Sequence, residues 1–183
     1  MMPIGPLMIE HRLIERLIAQ AEAHLEGFAA GGRIDPDFID TAVDFIRTYA
    51  DRCHHGKEED ILFRELAGKP LSDDQRATLD ELIDEHKRGR QLVGQLVAAN
   101  AALRSGDDAA ADTIAGLLRE LVAFYPAHIE KEDKHFFVPV MEHFDQAEQQ
   151  ALLAEGHDFD RQLIHQRYRE LVEALERVSD TGT

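Results

Sequence analysis

The sequence is short of cysteine, of basic residues and of long apolar runs, and each shortage excludes a class of protein. With Cys53 as its only cysteine, the chain has no disulfide framework and no cluster of thiolate metal ligands. Its 20 basic residues face 36 acidic ones, and a net charge of −16 repels phosphate backbones, so we expect no nucleic-acid partner. No run approaches the roughly 18 apolar residues of a membrane span, and the N-terminus lacks a signal-peptide pattern. We therefore expect a cytoplasmic protein that does not bind membranes.

Motifs for catalysis without a metal are missing as well. The chain contains no G-x-S-x-G elbow, no glycine-rich phosphate loop and no basic patch interleaved with aromatic residues. Histidine, by contrast, is abundant, with 10 residues in 183. The arrangement of these histidines is the strongest functional signal in the sequence.

Apolar residues recur at helical spacing along almost the whole chain, and no segment alternates in the manner of a strand. Breaks at "GGRIDPD", "GKPLSDD" and "RSGDD" separate long helices, and their short connections favour antiparallel neighbours. We therefore predict an all-α fold, an up-down-up-down four-helix bundle with a shorter fifth C-terminal helix. The predicted helices span about 7–30, 36–67, 73–104, 109–143 and 146–177.

Each of the first four helices places at least one histidine on its apolar stripe, at about 100° per residue. On the fourth helix, the stripe that includes Leu118, Leu121 and Phe124 continues through His128 and Glu132. The second helix brings His54 and Glu58 to its inner side, although Gly56 can shift the phase there. The other inward histidines are His11 on the first helix, His86 on the third and His135 on the fourth.

Two inward glutamates need a positive partner, because an isolated buried carboxylate costs several kcal/mol. In both "HHGKEED" and "HIEKED" a histidine precedes a glutamate by four residues, which places the two side chains on neighbouring positions of one helix face. Histidines and His-xxx-Glu pairs converging from four helices predict a site for two metal ions with a glutamate bridge. This ligand type does not choose the metal, so zinc and manganese stay open beside iron.

Four segments together resemble the hemerythrin-like, or HHE cation-binding, family. They are "EH" at Glu10-His11, "HHGKEEDILF", "EHKRGRQLV" and "HIEKEDKHFF", in the order and spacing of that family. The resemblance covers about residues 5–143 and implies a four-helix bundle with a non-haem di-iron centre. It implies these metal ligands, with the two glutamates as bridges: His11, His54, Glu58, His86, His128 and Glu132.

Where the oxygen carriers of the family have a second histidine on the third helix, this chain has Arg90, which cannot ligate a metal. His55 or Glu15 could compensate from another helix, and Arg90 could instead stabilise a bound anion or hold a bridging carboxylate. Asp133 competes with Glu132 for the bridging role, and helix phase favours Glu132. His135 stands where the family usually has an aliphatic residue and is an additional ligand or a partner of one.

The resemblance implies a pair of iron ions, Fe2+ or Fe3+ with an oxo or hydroxo bridge, that binds O2 or a related small ligand such as NO or peroxide. The alternatives are an enzyme that detoxifies peroxide or NO or oxidises ferrous iron, and a sensor of oxygen or iron. Whether the chain is an enzyme stays open, and we expect a monomer or homodimer. Residues 144–177 are expected to pack on the bundle or at a dimer interface, and 178–183 to form a frayed tail.

Overall fold

The computed structural model of the chain describes residues 2–161 and 164–181, which form six helices. No β-strand occurs in the part of the chain that the structure describes, so the expected all-α class is confirmed. Within the same residues, no helix has a stretch that is both long and apolar enough to cross a bilayer. The helices are α1 (Ile4–Ala29), α2 (36–66), α3 (Asp73–Arg104), α4 (110–143), α5 (Gln146–Phe159) and α6 (Ile164–Thr181).

Two of these helices widen into π-helical turns. In α2 an α-helical start, Pro36–Phe45, is followed by π segments at Ile46–His55 and Glu58–Phe63 and an α-turn at Arg64–Leu66. In α4 the α-helix Ala110–Glu130 is followed by a π segment, Lys131–Phe136, and then by Phe137–Val140 and a 3-10 turn, Met141–His143. A π turn changes which side chains share a face, and such turns often lie at functional sites.

The helix ends have local causes that are visible in the sequence. Asp35 accepts a hydrogen bond from the amide of Asp37 at 2.9 Å, and Pro36 is the first residue of α2. Ser72 and Gln75 form a capping box that starts α3. Gly106, with φ +94°, follows the end of α3 in a backbone conformation that favours glycine.

Contacts between consecutive helices pair the end of one with the start of the next. The ring of His24, late in α1, stacks on Phe38, early in α2, at 3.5 Å, whereas His11 meets His54 near the other ends. The same helices therefore meet at two levels of one bundle. The corresponding contacts are Asn100 to Asp40 and His86 to Glu59 between α2 and α3, and His143 to Gln75 and His128 to Glu85 between α3 and α4.

The apolar core consists of two clusters, and most of the predicted ligands lie at a level between them. The larger cluster includes Leu17, Phe45 and Leu118, and the smaller one includes Leu66 and Phe137. Each of the first four helices contributes residues to both clusters. The buried residues that α1 contributes to the smaller cluster lie in its first turn. The polar layer is thus closed off from water at both ends of the bundle.

The predicted fifth helix over 146–177 is in fact two helices, because α5 ends at Phe159. The last turn of α5 contains Gly156, a weak helix former, and Asp160 follows its final residue. α6 returns along the bundle, where Tyr168 packs edge-on against Phe45 at 5.4 Å and donates a hydrogen bond to Asp44 at 2.7 Å. The helix continues to Thr181, so 178–181 are helical, and 182–183 lie outside the described residues.

Candidate metal centre

The six residues predicted as metal ligands are all buried and lie together in the polar layer. His11, His54, Glu58 and Glu132 form one group, in which ligand-type atoms of all four lie within 4.8 Å of one another. A second group within the same limit consists of His55, His86 and His128. The sequence pattern therefore located the layer, and His55 completes its second group.

The two glutamates lie between the two groups and face both. Glu58 directs Oε1 toward Nε2 of His54 at 3.2 Å and Oε2 toward Nε2 of His86 at 3.4 Å. Glu132 places Oε2 3.1 Å from Nε2 of His11 and 3.4 Å from Nε2 of His128, and Oε1 3.7 Å from Nε2 of His86. A carboxylate with one group of imidazoles on each side has the geometry of a bridge.

Several atoms that face the middle of the layer have no hydrogen-bond partner, whereas Nε2 of His11 and Nε2 of His54 lie 2.8 Å from each other. The unpaired buried atoms include both carboxylate oxygens of Glu58 and of Glu132, and Nε2 of His86 and of His128. Native proteins rarely leave buried polar atoms unpaired, because each one loses its hydration without replacement. Carboxylate oxygens and neutral imidazole nitrogens are all donors to a divalent cation, so the residues present fit a pair of metal ions.

The opposite nitrogen of four histidines is bound to a carboxylate on a neighbouring helix. Nδ1 of His54 lies 2.8 Å from Glu10, and Nδ1 of His86 lies 2.7 Å from Glu59. Such a partner fixes the ring orientation and the tautomer, so that Nε2 is left free for a metal. The other two pairs are His128 with Glu85 and His11 with Asp133, each at 2.8 Å.

Each of these outer carboxylates is itself bound by a cation. Arg90 donates to Glu59 at 2.7 Å, and Lys131 donates to Glu85 at 2.6 Å. Glu10 is bound by Lys57, and Asp133 is bound by Arg12. The outer carboxylates are therefore compensated by lysine and arginine side chains without any metal, whereas Glu58 and Glu132 face only histidines.

Sequence reasoning did not find these partners, although a signal for them exists. Glu10 precedes His11, Glu85 precedes His86, Glu59 follows Glu58 and Asp133 follows Glu132. In each case the acid next to an inward residue turns toward the histidine of another helix. Of the two acids that competed for the bridging role, Glu132 lies between the two groups. Asp133 lies on the outer side of His11.

The adjacent residues His54 and His55 are both buried, because π-helical geometry in Ile46–His55 turns both rings inward. Nε2 of His54 lies 2.8 Å from Nε2 of His11. The ring of His55 instead stacks on that of His86, with centroids 3.9 Å apart. His55 thus supplies a third imidazole to the second group, while Arg90 lies outside it.

The two rings have opposite electrostatic environments. Burial lowers the pKa of His54, but the charge of Glu58 and the hydrogen bond to Glu10 outweigh it and raise the pKa to about 10. Burial and the neighbouring imidazoles of His86 and His54 hold the pKa of His55 well below its ordinary value. In the metal-free chain His54 therefore holds a proton, whereas His55 stays a neutral imidazole.

Three residues named from the sequence do not face the layer. His135 is exposed, which corrects its predicted inward position, because the π segment Lys131–Phe136 rotates it away from the stripe of α4. Glu15 pairs with Arg12 at 2.9 Å on the surface. Arg90 binds Asp51 and Glu59, each at 2.7 Å, and contacts neither of the two central glutamates.

A second polar cluster connects the layer to the C-terminal helices. Lys57, which is 4% exposed, donates to Glu10 and to both oxygens of Asp160, at 2.6 and 2.7 Å for the latter. Nε2 of His165, on α6, lies 3.1 Å from Asp160, and its Nδ1 lies 3.1 Å from the hydroxyl of Tyr49. The C-terminal helices therefore contact the residues that orient His54.

Comparison with known proteins agrees with this geometry. The sequence profile of the family described as "Hemerythrin HHE cation binding domain" matches residues 2–140. Uncharacterized proteins of Mycobacterium bovis and of two strains of Mycobacterium tuberculosis are 27% identical to the chain over 133 residues. The match covers 72% of this chain and 50% of each relative, so the chain spans about half the length of the curated relatives it matches. No solved structure matches the chain significantly. The profile match includes every residue of the polar layer, and the chain therefore belongs to the family of hemerythrin HHE cation-binding domains.

Proposed function

We propose that this domain holds two iron ions in the polar layer and binds O2 or a related small ligand, such as NO or peroxide, at the pair. The observation that carries the proposal is the set of unpaired buried oxygens on Glu58 and Glu132. These oxygens face imidazoles on both sides, and cations there would satisfy all of them. The first four helices form an up-down-up-down bundle in this proposal, which the alternating end-to-start contacts support.

In the proposed site, His11 and His54 bind one ion and His55, His86 and His128 bind the other, with Glu58 and Glu132 between them. The outer carboxylates hold the imidazole rings in place through Nδ1. An iron pair would supply two electrons and open coordination positions for a small ligand. The two apolar clusters limit the access of water and protons, which favours release of bound oxygen over its reduction.

The alternative is an enzyme that turns over peroxide or NO or oxidises ferrous iron. It is favoured by a centre with few histidine ligands, because more coordination positions then stay open. The replacement of a histidine by Arg90 favours that alternative from sequence alone. His55 restores the number of imidazoles in the second group, which supports ligand binding over turnover. A sensor of oxygen or iron, a cytoplasmic location and a monomeric or homodimeric state stay predictions.

The proposal is tested by loading the full chain anaerobically with ferrous iron and measuring bound iron and the optical spectrum. We expect two iron ions per chain, a visible charge-transfer band that develops in air, and loss of that band under argon. His143→Ala serves as a control, because Nε2 of His143 bonds Gln75 outside the layer at 2.9 Å. A stable ferric spectrum that argon does not change would establish oxidation instead, and a chain that binds no metal would refute the proposal.

A further inference from the structure

Outside the polar layer, three side chains of metal-binding type meet where the C-terminal helices join the bundle. They are the thiol of Cys53 in α2, the carboxylate of Asp160 directly after α5, and the imidazole of His165 in α6. Each offers one ligand atom, and the three atoms lie within 4.8 Å of one another. None of the three belongs to either group of the polar layer, so the cluster is a separate candidate for metal binding.

The three atoms form a triangle of the size that a tetrahedral zinc ion requires. Oδ1 of Asp160 lies 3.4 Å from Sγ of Cys53 and 3.1 Å from Nε2 of His165, and Sγ lies 4.0 Å from that Nε2. With Zn–S near 2.3 Å and Zn–N and Zn–O near 2.0 Å, tetrahedral angles separate such ligand atoms by about 3.3–3.5 Å. An ion can therefore bind after shifts of about 0.5 Å in the side chains.

The orientation and exposure of the three side chains also suit an ion. The hydroxyl of Tyr49 lies 3.1 Å from Nδ1 of His165, which holds the ring with Nε2 toward the cluster. Cys53 is 5% exposed, whereas the side chains of Asp160 and His165 are 17% and 29% exposed. The sulfur is thus shielded from solvent, while the other two ligands give an ion a way in and leave room for a water as the fourth ligand.

The neighbouring lysine is compatible with a bound ion. Lys57 donates to Oδ1 and Oδ2 of Asp160 at 2.6 and 2.7 Å and also binds Glu10. An ion on Oδ1 leaves Lys57 with Oδ2 and with Glu10. The thiol of Cys53, which donates to Oδ1 of Asp160, loses its proton to solvent when the ion binds. A divalent ion with one thiolate and one carboxylate is a neutral unit, so the charge balance between Lys57 and Glu10 is preserved.

We propose that Cys53, Asp160 and His165, together with a water, bind one zinc ion. A thiolate combined with an imidazole and a carboxylate in a tetrahedral arrangement is typical of zinc. The ion would connect α2 with the end of α5 and the beginning of α6. No ligand is shared with the proposed iron pair, so this inference goes beyond the proposed function and does not depend on it.

Cobalt is the spectroscopic probe for this site, since a thiolate bound to Co2+ gives a charge-transfer band in the near ultraviolet. The full chain is titrated with Co2+ under argon. The polar layer offers only nitrogen and oxygen ligands, and Cys53 is the only cysteine of the chain, so the band reports this site alone. We expect a band that saturates and that added zinc removes, because zinc takes the same ligands and has a filled d shell.

Variants identify the ligands. Cys53→Ser should abolish the band, and His165→Ala should weaken cobalt binding at this site by about tenfold or more. The side chain of His165 is partly exposed, so its variant keeps the test valid if Cys53→Ser does not fold. Asp158→Asn is the matched control, because Asp158 is 67% exposed and pairs with Arg161 on the surface. No band in the unchanged protein, a band that zinc does not remove, or equal affinity in His165→Ala overturns the inference.

Zinc content at saturation separates this inference from the proposed metal centre. The unchanged protein should hold one more zinc ion per chain than Cys53→Ser does. Three ions against two would support both sites, whereas one ion against none would support the zinc site and refute the metal centre. Equal zinc content in the two proteins overturns the inference, and the number of ions they share then tells whether the metal centre stands.

Discussion

Replacement of Lys57 by methionine tests how the polar layer depends on its outer shell of charges. Lys57 is 4% exposed and binds Glu10, which is itself 3% exposed, and Asp160. Methionine has a similar length and no charge, so the change leaves the carboxylate of Glu10 with His54 at 2.8 Å and Nε2 of His165 at 3.5 Å, and without its lysine. Removal of one partner of a buried ion pair costs about 3–5 kcal/mol, and we expect Lys57→Met to lower the free energy of unfolding by about this amount.

The assay is urea denaturation of the metal-free full chain at pH 7, followed by circular dichroism. Lys134→Met is the matched control, since Lys134 pairs with Glu130 at 2.7 Å but the two side chains are 65% and 57% exposed. Such a surface pair is worth about 0–1 kcal/mol. A loss in Lys57→Met no larger than that of the control would refute the reasoning that Glu10 depends on Lys57.

A partial rescue isolates the cause of the loss. Glu10→Gln removes the charge that Lys57→Met leaves unpaired, so the double variant should be more stable than Lys57→Met alone. The double variant should bind metal more weakly than Lys57→Met, because it loses the carboxylate that orients His54. Loss of such a partner typically weakens metal binding by about 10–100-fold, which competition with a chelator measures.

Three further predictions concern the layer itself. His55→Ala should lower bound metal from two ions to about one by elemental analysis, whereas His135→Ala, at an exposed site, should leave it unchanged. In the metal-free chain, carboxylates raise the pKa of His54 to about 10 and that of His86 to about 9 from an ordinary value of 6.5. Their stabilisation is complete below pH 6.5 and is lost as the pH rises through these values, so the midpoint of urea denaturation should fall from pH 7 to 9, and an unchanged midpoint would contradict this. Glu59→Gln should weaken zinc binding by about 10–100-fold without lowering the number of ions bound at saturation, and a lost ion would mean that Glu59 is itself a ligand.

Much of the fold follows from local sequence signals. Asp35-Pro36 and the Ser72 capping box place the starts of α2 and α3 where the structure has them. The break after Phe159 was not located, because Gly156 and Asp160 lower helix propensity only modestly and tertiary contacts decide whether such a helix continues. The packing of α6 on Tyr49 and Phe45 depends on contacts over more than 100 residues of sequence, which periodicity cannot supply.

Helix phase predicted most of the candidate site and failed at two histidines in π segments. His11, His86 and His128 lie in α-helical segments, and the apolar stripe identified each of them. His54, Glu58 and Glu132 lie in π segments and were still predicted to point inward. The prediction failed at two other residues of π segments: the inward position of His55 was left open, and His135 was expected to point inward but is exposed. The π turns depend on how the four helices pack, so no local sequence signal marks them.

The outer carboxylates show why ligands and packing cannot be separated in this bundle. Glu10 of α1 holds His54 of α2, Glu59 of α2 holds His86 of α3, and Glu85 of α3 holds His128 of α4. Asp133 of α4 closes the ring by holding His11 of α1. Each of these four helices therefore orients a histidine of its neighbour, and a shift of one helix disturbs ligands on two. Metal binding draws on a geometry that exists only when all four helices are docked, so metal occupancy and bundle assembly should behave as one coupled equilibrium.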